Sequence, residues 1–153
     1  DHDRLNMRIA LGLAQDAAAA GETPVGAVVV DPATGEVLGR GANGPIGRSD
    51  PTAHAEILAL REAAARVGNY RLTGLELIAT LEPCAMCAGA ISHARIGRLV
   101  FAAEDPKGGA VIHGPRVFDQ PTCHWRPLVE VGVMAEESSA MLKAFFRARR
   151  VKP

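Results

Sequence analysis

The chain has 153 residues, of which 48% are hydrophobic and 22% charged, the composition of an ordinary globular protein. Its 17 basic and 17 acidic residues give zero formal net charge, which excludes a strong overall field that would attract RNA or a membrane. At this length one domain can close a full hydrophobic core, so we expect a single domain over residues 1–153.

The first part of the chain predicts a helix, a hairpin and a second helix. Apolar residues recur at helical spacing from Leu5 to Ala17, and Gly21 should end this first helix. Two short apolar runs follow, joined by a Pro/Gly/Thr turn that is typical of a β-hairpin. The expected elements are a helix over 3–20, strands over 25–30 and 36–41, a loop over 43–51 and a helix over 54–67.

The rest of the chain continues the alternation of strands and helices. The expected elements are a strand over 75–80, a helix over 85–94, a strand over 98–102, an irregular loop over 104–127, a short strand over 128–131 and a last helix. On that last helix Met141, Leu142, Phe145 and Phe146 should share one face, with the basic residues largely on the other.

This order of elements predicts an α/β fold, a three-layer α/β/α sandwich around a mixed sheet of about five strands. The first two strands should be antiparallel, and the later ones should run parallel through helix crossovers.

Two short motifs carry the metal chemistry, residues 52–56 (Thr-Ala-His-Ala-Glu) and 82–87 (Glu-Pro-Cys-Ala-Met-Cys), and each opens a predicted helix. Cys84 and Cys87 are spaced i and i+3 in a first helical turn, so both can reach one metal ion. The positive end of the helix favours their thiolate forms. With His54 they make three ligands, which leaves the fourth position of tetrahedral zinc open for water.

Glu56 follows His54 by two residues at the start of a predicted helix. That offset lets the imidazole face the metal while the carboxylate faces the activated water. Glu56 could then take a proton from the water, pass it to a ring nitrogen and protonate the departing ammonia. His-x-Glu together with Pro-Cys-x-x-Cys is the known signature of the zinc deaminases.

Other readings of the Cys-x-x-Cys pair stay open at this point. A structural zinc site would need a fourth protein ligand, which could come only from Cys123, His124, His93 or His113. A thioredoxin-like redox pair is a second alternative, although it leaves the His-Ala-Glu motif and Pro83 unexplained. Because both motifs agree in order, residue type and context, we favour catalytic zinc.

With these motifs the chain resembles the cytidine-deaminase-like superfamily and, within it, the bacterial tRNA-specific adenosine deaminases, which convert a wobble adenosine to inosine. The likeness covers nearly the whole chain, in residues 24–28, 43–48, 50–56, 80–91, 93–98 and 145–147. The metal motif alone indicates only the superfamily. The 50–56 stretch (Asp-Pro-Thr-Ala-His-Ala-Glu) and the basic Phe-Phe-Arg tail narrow it to the tRNA enzymes.

The resemblance implies that His54, Cys84 and Cys87 bind one Zn²⁺ per subunit and that Glu56 shuttles protons. The residues that it implies around an extruded base are Asn43, Ala55, Val25 and Pro83, and those against the anticodon backbone are Asp105 and Lys107. Without the resemblance, Asn43 is a typical turn residue, and the other two are simply part of a solvated loop. Family members form homodimers in which the partner helps to shape the RNA groove.

Two stretches depart from the family pattern. Gly44 follows Asn43 where many members have a longer polar side chain. The loop over 108–125, which includes Cys123-His124-Trp125, matches only weakly. We expect these differences to affect RNA affinity and context preference rather than the reaction.

The C-terminal segment over 143–152 contains five basic residues and no acidic one: Lys143, Arg147, Arg149, Arg150 and Lys152. Such a run is most often a solvated helix face. Here its single sign and concentration could instead neutralise phosphates and make RNA binding salt-dependent.

The expected function is therefore hydrolytic deamination of the wobble adenosine in a tRNA anticodon stem-loop. The alternative is a zinc-dependent deaminase of a free nucleobase or nucleoside such as guanine, cytosine or cytidine, against which the basic tail counts. A non-catalytic zinc-stabilised RNA-binding module is a further alternative, but a structural site gains nothing from Glu56.

Three cysteines, an odd number, fit reduced thiols better than a disulfide framework. The polar first residues lack the apolar core of a signal peptide, and no apolar run approaches the roughly 20 residues that span a bilayer. These features predict a cytoplasmic protein with no membrane partner.

Overall fold

The computed structural model describes residues 2–150. Its helices are α1 His2–Ala19, α2 Pro45–Arg48, α3 Ala55–Val67, α4 Ala85–His93 and α5 Ala135–Arg150, with one 3-10 turn at Val117–Asp119. Its strands are β1 Gly26–Val30, β2 Val37–Ala42, β3 Glu76–Leu81, β4 Arg98–Ala103 and β5 Leu128–Val131.

The five strands form one mixed sheet in the order β2-β1-β3-β4-β5. β1 is antiparallel to both of its neighbours, β2 and β3. β3, β4 and β5 run parallel, in a register that pairs Leu77 with Leu99 and Leu99 with Val129. The predicted α/β fold with its mixed five-stranded sheet is confirmed.

Two details of the predicted topology were wrong. The connection from β4 to β5 contains only the 3-10 turn and is not a helix crossover. The predicted loop over 43–51 contains the one-turn helix α2, which ends at Ser49 with a left-handed backbone (φ 50°).

Helices cover both faces of the sheet. On one face α1 and α5 pack against one alternating set of strand residues, which includes Val28, Ile78 and Val100. On the other face α3 and α4 pack against the complementary set, which includes Leu77, Leu99 and Phe101. Because successive strand side chains point to opposite faces, the buried strands supply both cores, and the result is the predicted three-layer sandwich.

α5 is anchored to the sheet by a short polar chain of contacts. The Ser138 hydroxyl donates a hydrogen bond of 2.5 Å to the carbonyl of Thr80, and the Thr80 hydroxyl accepts one from the amide of Gly26. Ser138 is the one buried residue of this helix. The apolar face predicted for this helix is only partly buried. Met141 packs on the core, whereas Phe146 is 42% exposed.

Within residues 2–150, no helix combines the length and apolar character needed to cross a bilayer.

Candidate metal centre and active site

Three potential metal ligands meet where two helices begin. His54 is the residue that caps α3, Cys84 caps α4, and Cys87 lies in the first turn of α4. The Nδ1 atom of His54 is 3.5 Å from the Sγ atom of Cys84 and 3.5 Å from that of Cys87. All three ligand atoms lie within 4.8 Å of one another, so the structure brings together the set that the sequence predicted.

These distances fit zinc. Ideal tetrahedral geometry with ordinary Zn–N and Zn–S bonds separates nitrogen from sulfur by about 3.6 Å. The observed separations are 3.5 Å, and one imidazole with two thiolates is a common donor set for catalytic zinc. The residues present therefore fit the ion, and Nδ1 is the histidine atom that faces it.

The four residues that could supply a fourth ligand for a closed structural site lie outside this group. The Sγ of Cys123 is within hydrogen-bond distance of Ser92 Oγ and the Trp125 carbonyl, and His113 Nε2 is 2.9 Å from a carboxylate oxygen of Glu104. His93 and His124 line a separate surface cleft together with Cys123. Among residues 2–150 the grouped ligands number three, which is the arrangement of an open, catalytic site.

The pKa values of the two thiols are shifted in opposite directions. The pKa of Cys84 falls to about 5, chiefly because the Cys87 thiol donates a hydrogen bond to its thiolate. The same contact, together with burial, raises the pKa of Cys87 above its usual value. The pair alone therefore holds one proton, and a cation between the two sulfur atoms would allow both to ionise.

Glu56 lies in the first turn of α3 and is only 4% exposed. Burial raises its pKa to about 7, opposed by hydrogen bonds from its own backbone amide and from Cys87. A carboxyl group with a pKa near neutrality can both accept and release a proton, which is the property that acid–base catalysis needs.

The residues predicted to surround a base lie on segments that hydrogen bonds join to one another. The amide of Asn43 donates to the carbonyl of Val25, and the amide of Gly44 donates to the carbonyl of Ala53, next to His54. Asn43 is half-buried, and Val25, Ala55 and Pro83 are buried. Asn43 thus lies on a loop that is hydrogen-bonded to the segment carrying His54.

The two predicted backbone-contacting residues differ in what they do in the structure. The Asp105 carboxylate accepts hydrogen bonds from the amides of Lys107 and Gly108 and so shapes its own loop. Lys107 is exposed. Of this pair, Lys107 is the side chain left available to solvent.

The basic residues of α5 do not form one face. Arg149 lies over the Phe145 ring at 4.5 Å from its centroid, donates a hydrogen bond to the Gly21 carbonyl, and lines a cleft of about 280 Å³ together with Asn43. Arg147 instead lines a groove with Lys143 on another side of the helix. Arg150 is exposed, and Lys152 lies outside the described residues.

Sequence reasoning missed two buried carboxylates. Glu22 accepts hydrogen bonds from the amides of Ile46 and Gly47, which are 3.2 and 2.7 Å away, and thereby holds the loop that carries Asn43. Glu82 accepts four backbone amides from the segment after β4. Glu22 gave no signal beyond an acidic residue near an apolar run, and Glu82 stood in the 82–87 motif with no feature that indicates its backbone contacts.

Comparison with known proteins agrees with this geometry. Residues 1–103 match the family described as the cytidine and deoxycytidylate deaminase zinc-binding region. The chain is also 52% identical to a tRNA-specific adenosine deaminase of Haemophilus influenzae, over 98% of this chain and 86% of that protein. The chain belongs to the tRNA-specific adenosine deaminase family. It is accordingly a zinc-binding deaminase, and the predicted family is confirmed.

Two solved structures share this fold. A structure from a study of A-to-I editing by tRNA:A34 deaminases at the wobble position superposes with a TM-score of 0.87 at 49% identity, covering 90% of this chain and 98% of that one. A guanine deaminase from Nitrosomonas europaea superposes with a TM-score of 0.80 at 25% identity, covering 93% of this chain and 83% of that one.

Proposed function

We propose that this chain converts the wobble adenosine of a tRNA anticodon stem-loop to inosine by hydrolytic deamination. The observation that carries the proposal is the convergence of His54, Cys84 and Cys87 beside the buried carboxyl of Glu56, which interacts with all three. Membership of the tRNA-specific adenosine deaminase family supplies the substrate class.

In this proposal His54, through Nδ1, and the thiolates of Cys84 and Cys87 hold one zinc ion per subunit. Zinc in such a three-ligand site lowers the pKa of a water molecule towards neutrality and so makes it nucleophilic. The fixed helix starts at His54 and Cys84 keep the ligands in place during the reaction.

Glu56 performs the proton transfers. It accepts a proton from the attacking water as the water oxygen bonds to C6 of adenine, and it delivers that proton to N1. The second water proton passes through Glu56 to the amino group, the C6–N6 bond breaks, and ammonia leaves. A carboxyl with a pKa near 7 suits this alternation of base and acid.

Recognition of the base falls to the segments around Asn43. Its side-chain amide offers a donor and an acceptor to a purine edge, while buried Val25 and Pro83 supply apolar walls and the Ala55 backbone supplies polar groups. An anticodon loop suits an enzyme of this kind because its bases are already partly unstacked.

The RNA backbone would be met by Lys107 of the loop after β4 and by Arg147, Arg149 and Arg150 of α5, with Asp105 holding the Lys107 loop in shape. Arg149 has the best supported role, because its guanidinium packs on an aromatic ring in the cleft that Asn43 lines. A planar cation beside an aromatic ring can contact both phosphate and base.

The alternative is deamination of free guanine, cytosine or cytidine. Two observations favour it: the zero net charge and the fold shared with the Nitrosomonas europaea guanine deaminase. Deamination of a free base gives no role to the cleft that Asn43 and Arg149 line, so we rank this alternative second.

We further propose that the enzyme is a homodimer and that it works in the cytoplasm. An apolar groove of about 380 Å³ lies between α3 and α4 and is lined in part by Ile57, Leu60 and the 70%-exposed Tyr70. A second subunit could cover such a surface. Light scattering of the purified chain tests the dimer.

The proposal of a cytoplasmic location is supported by the cysteines. All three are free thiols, as a reducing compartment favours.

The test of function compares the wild type with Glu56→Gln on an anticodon stem-loop and on free guanine, cytosine, adenosine and cytidine. Glutamine keeps the size of the buried side chain but cannot carry the proton. The proposal expects inosine in the stem-loop with the wild type, loss of turnover by at least about a hundredfold in the variant, and unchanged zinc content. Turnover of a free base alone would favour the alternative.

A further inference from the structure

Glu82 is a buried carboxylate that accepts hydrogen bonds from the segment after β4. Its side chain is fully inaccessible to solvent and stands two residues before the ligand Cys84. One carboxylate oxygen accepts the amide of Asp105 at 3.0 Å. The other accepts three consecutive amides, those of Val111, Ile112 and His113, at 3.0, 2.9 and 3.1 Å.

Both ends of the 105–113 loop are thus pinned to one side chain. Between the pinned amides, residues 106–108 project into solvent, and they include Lys107. The amide of Ala110 also donates to the Pro83 carbonyl at 2.9 Å, so the loop lies against the residue that precedes Cys84. The position of Glu82 therefore links the metal-binding segment to the loop.

Gly109 shows how closely the loop is fitted to this carboxylate. A Cβ atom there would lie 2.4 Å from the carboxyl carbon of Glu82 and 2.6 Å from the Asp105 carbonyl oxygen. A side chain at this position would have to push the loop away from Glu82. The backbone of the loop and the carboxylate are therefore in direct van der Waals contact.

Amide dipoles compensate the charge of Glu82. The four hydrogen bonds from the amides of Asp105, Val111, Ile112 and His113 offset the cost of burying this carboxylate. The imidazole Nε2 of His113 lies 3.9 Å from a carboxylate oxygen of Glu82. A carboxylate held in this way has few reasons to be buried except to order the backbone that it binds.

We propose that Glu82 is a positioning residue that fixes the 105–113 loop beside the metal ligands, so that Lys107 meets the anticodon backbone in a defined place. Glu82 touches neither substrate nor zinc in this role and acts only through the loop. The inference rests on the proposed RNA substrate.

One carboxylate oxygen of Glu82 accepts one hydrogen bond and the other accepts three. Two substitutions can therefore remove different numbers of these bonds. Glu82→Gln keeps one acceptor oxygen, and the three amides of residues 111–113 should claim it. The new NH₂ group then faces the Asp105 amide, and that single hydrogen bond is lost. Amide exchange in the zinc-loaded protein should accelerate about tenfold at Asp105 and little at residues 111–113, whereas Glu82→Ala should accelerate it at all four.

The functional readout is the split between KM and kcat on the stem-loop. A loosened loop weakens substrate binding, so Glu82→Gln should raise KM about tenfold while kcat and the zinc content change little. Glu76→Gln is the matched control, since Glu76 begins β3, the strand that ends just before Glu82, and pairs there with Arg98. This control should leave KM unchanged.

The possible outcomes separate the two proposals. If the wild type edits the stem-loop and Glu82→Gln has a normal KM despite faster exchange at Asp105, only the positioning role is overturned. A fall in zinc content equal to the fall in activity would also overturn it, because Glu82 would then act on the ligands. If the wild type deaminates guanine and not the stem-loop, the proposed function fails and the role of Glu82 in RNA positioning fails with it.

Discussion

Gly41 of β2 lies directly against the carbonyl oxygen of Ala55 in α3, so closely that a Cβ atom at Gly41 would stand 2.0 Å from that oxygen. Gly39 makes the same approach to Ala59, where the distance would be 2.1 Å. The two glycines let α3 rest on the edge of the sheet, and the first turn of α3 carries Glu56. The depth at which Glu56 is buried therefore depends on the absence of a side chain at Gly39 and Gly41.

Gly41→Ala should displace the start of α3 and with it His54 and Glu56. Overpacking of this kind costs about 1–3 kcal/mol of folding stability, and activity should fall further than stability because the reacting groups move. Thermal unfolding and zinc content measure the two effects. Gly12→Ala is the control, because a Cβ in this helical position meets nothing within 4 Å and should stabilise the protein by about 0.5–1 kcal/mol.

The metal set can be tested by removing one thiol at a time. Cys87→Ser should lose most of the bound zinc and all deaminase activity, since a hydroxyl is a much poorer zinc ligand than a thiolate. Cys123→Ser should keep one zinc per chain, because Cys123 lies with Ser92 and Trp125 and not with the ligand group. Metal analysis of both variants would refute the assignment if Cys123→Ser were the one to lose zinc.

Arg149 should contribute more to RNA binding than Arg147. Arg149→Ala removes a guanidinium from the cleft that Asn43 lines, while Arg147→Ala removes one from a different groove. Each lost phosphate contact should make the slope of log affinity against log salt shallower by about 0.7 for a single-stranded loop. Titrations of a labelled stem-loop at several salt concentrations provide the slopes, and equal effects of the two substitutions would contradict the distinction.

The ion pair between Asp3 and Arg98, with 2.6 Å between Oδ2 and the guanidinium, should make stability fall in acid. A hydrogen bond from Arg98 lowers the pKa of Asp3 in the folded protein, against a smaller opposing effect of burial. A lowered folded-state pKa contributes stability above the unfolded-state value near pH 4, and that contribution is lost as pH falls through the folded-state value. Urea unfolding of Asp3→Asn should therefore show a smaller loss of stability below pH 4 than the wild type.

Much of the fold could be predicted because local periodicity and turn residues mark most element boundaries. The strand predicted over 128–131 has the observed limits, and the predicted helix over 3–20 becomes His2–Ala19. The one-turn helix α2 could not be predicted, because it is held by the carboxylate of Glu22, more than twenty residues away in sequence. A four-residue helix has too little periodicity to be recognised.

The cluster of candidate metal ligands could be predicted from spacing, whereas the residues that support the site could not. His54, Cys84 and Cys87 carry their chemistry in their side chains and sit in short motifs. Glu82 acts on backbone amides of residues 105 and 111–113, and nothing in the identity of those residues reveals the contact. For the same reason the exclusion of Cys123 and His113 as ligands needed coordinates.

The most direct test of the central claim is a position-specific assay on RNA. The zinc-loaded protein is incubated with an anticodon stem-loop that has adenosine at the wobble position, and in parallel with the same stem-loop in which that adenosine is moved by one nucleotide. Our account predicts inosine at the wobble position only, together with no turnover of free guanine. Rapid deamination of guanine with neither RNA converted would contradict it.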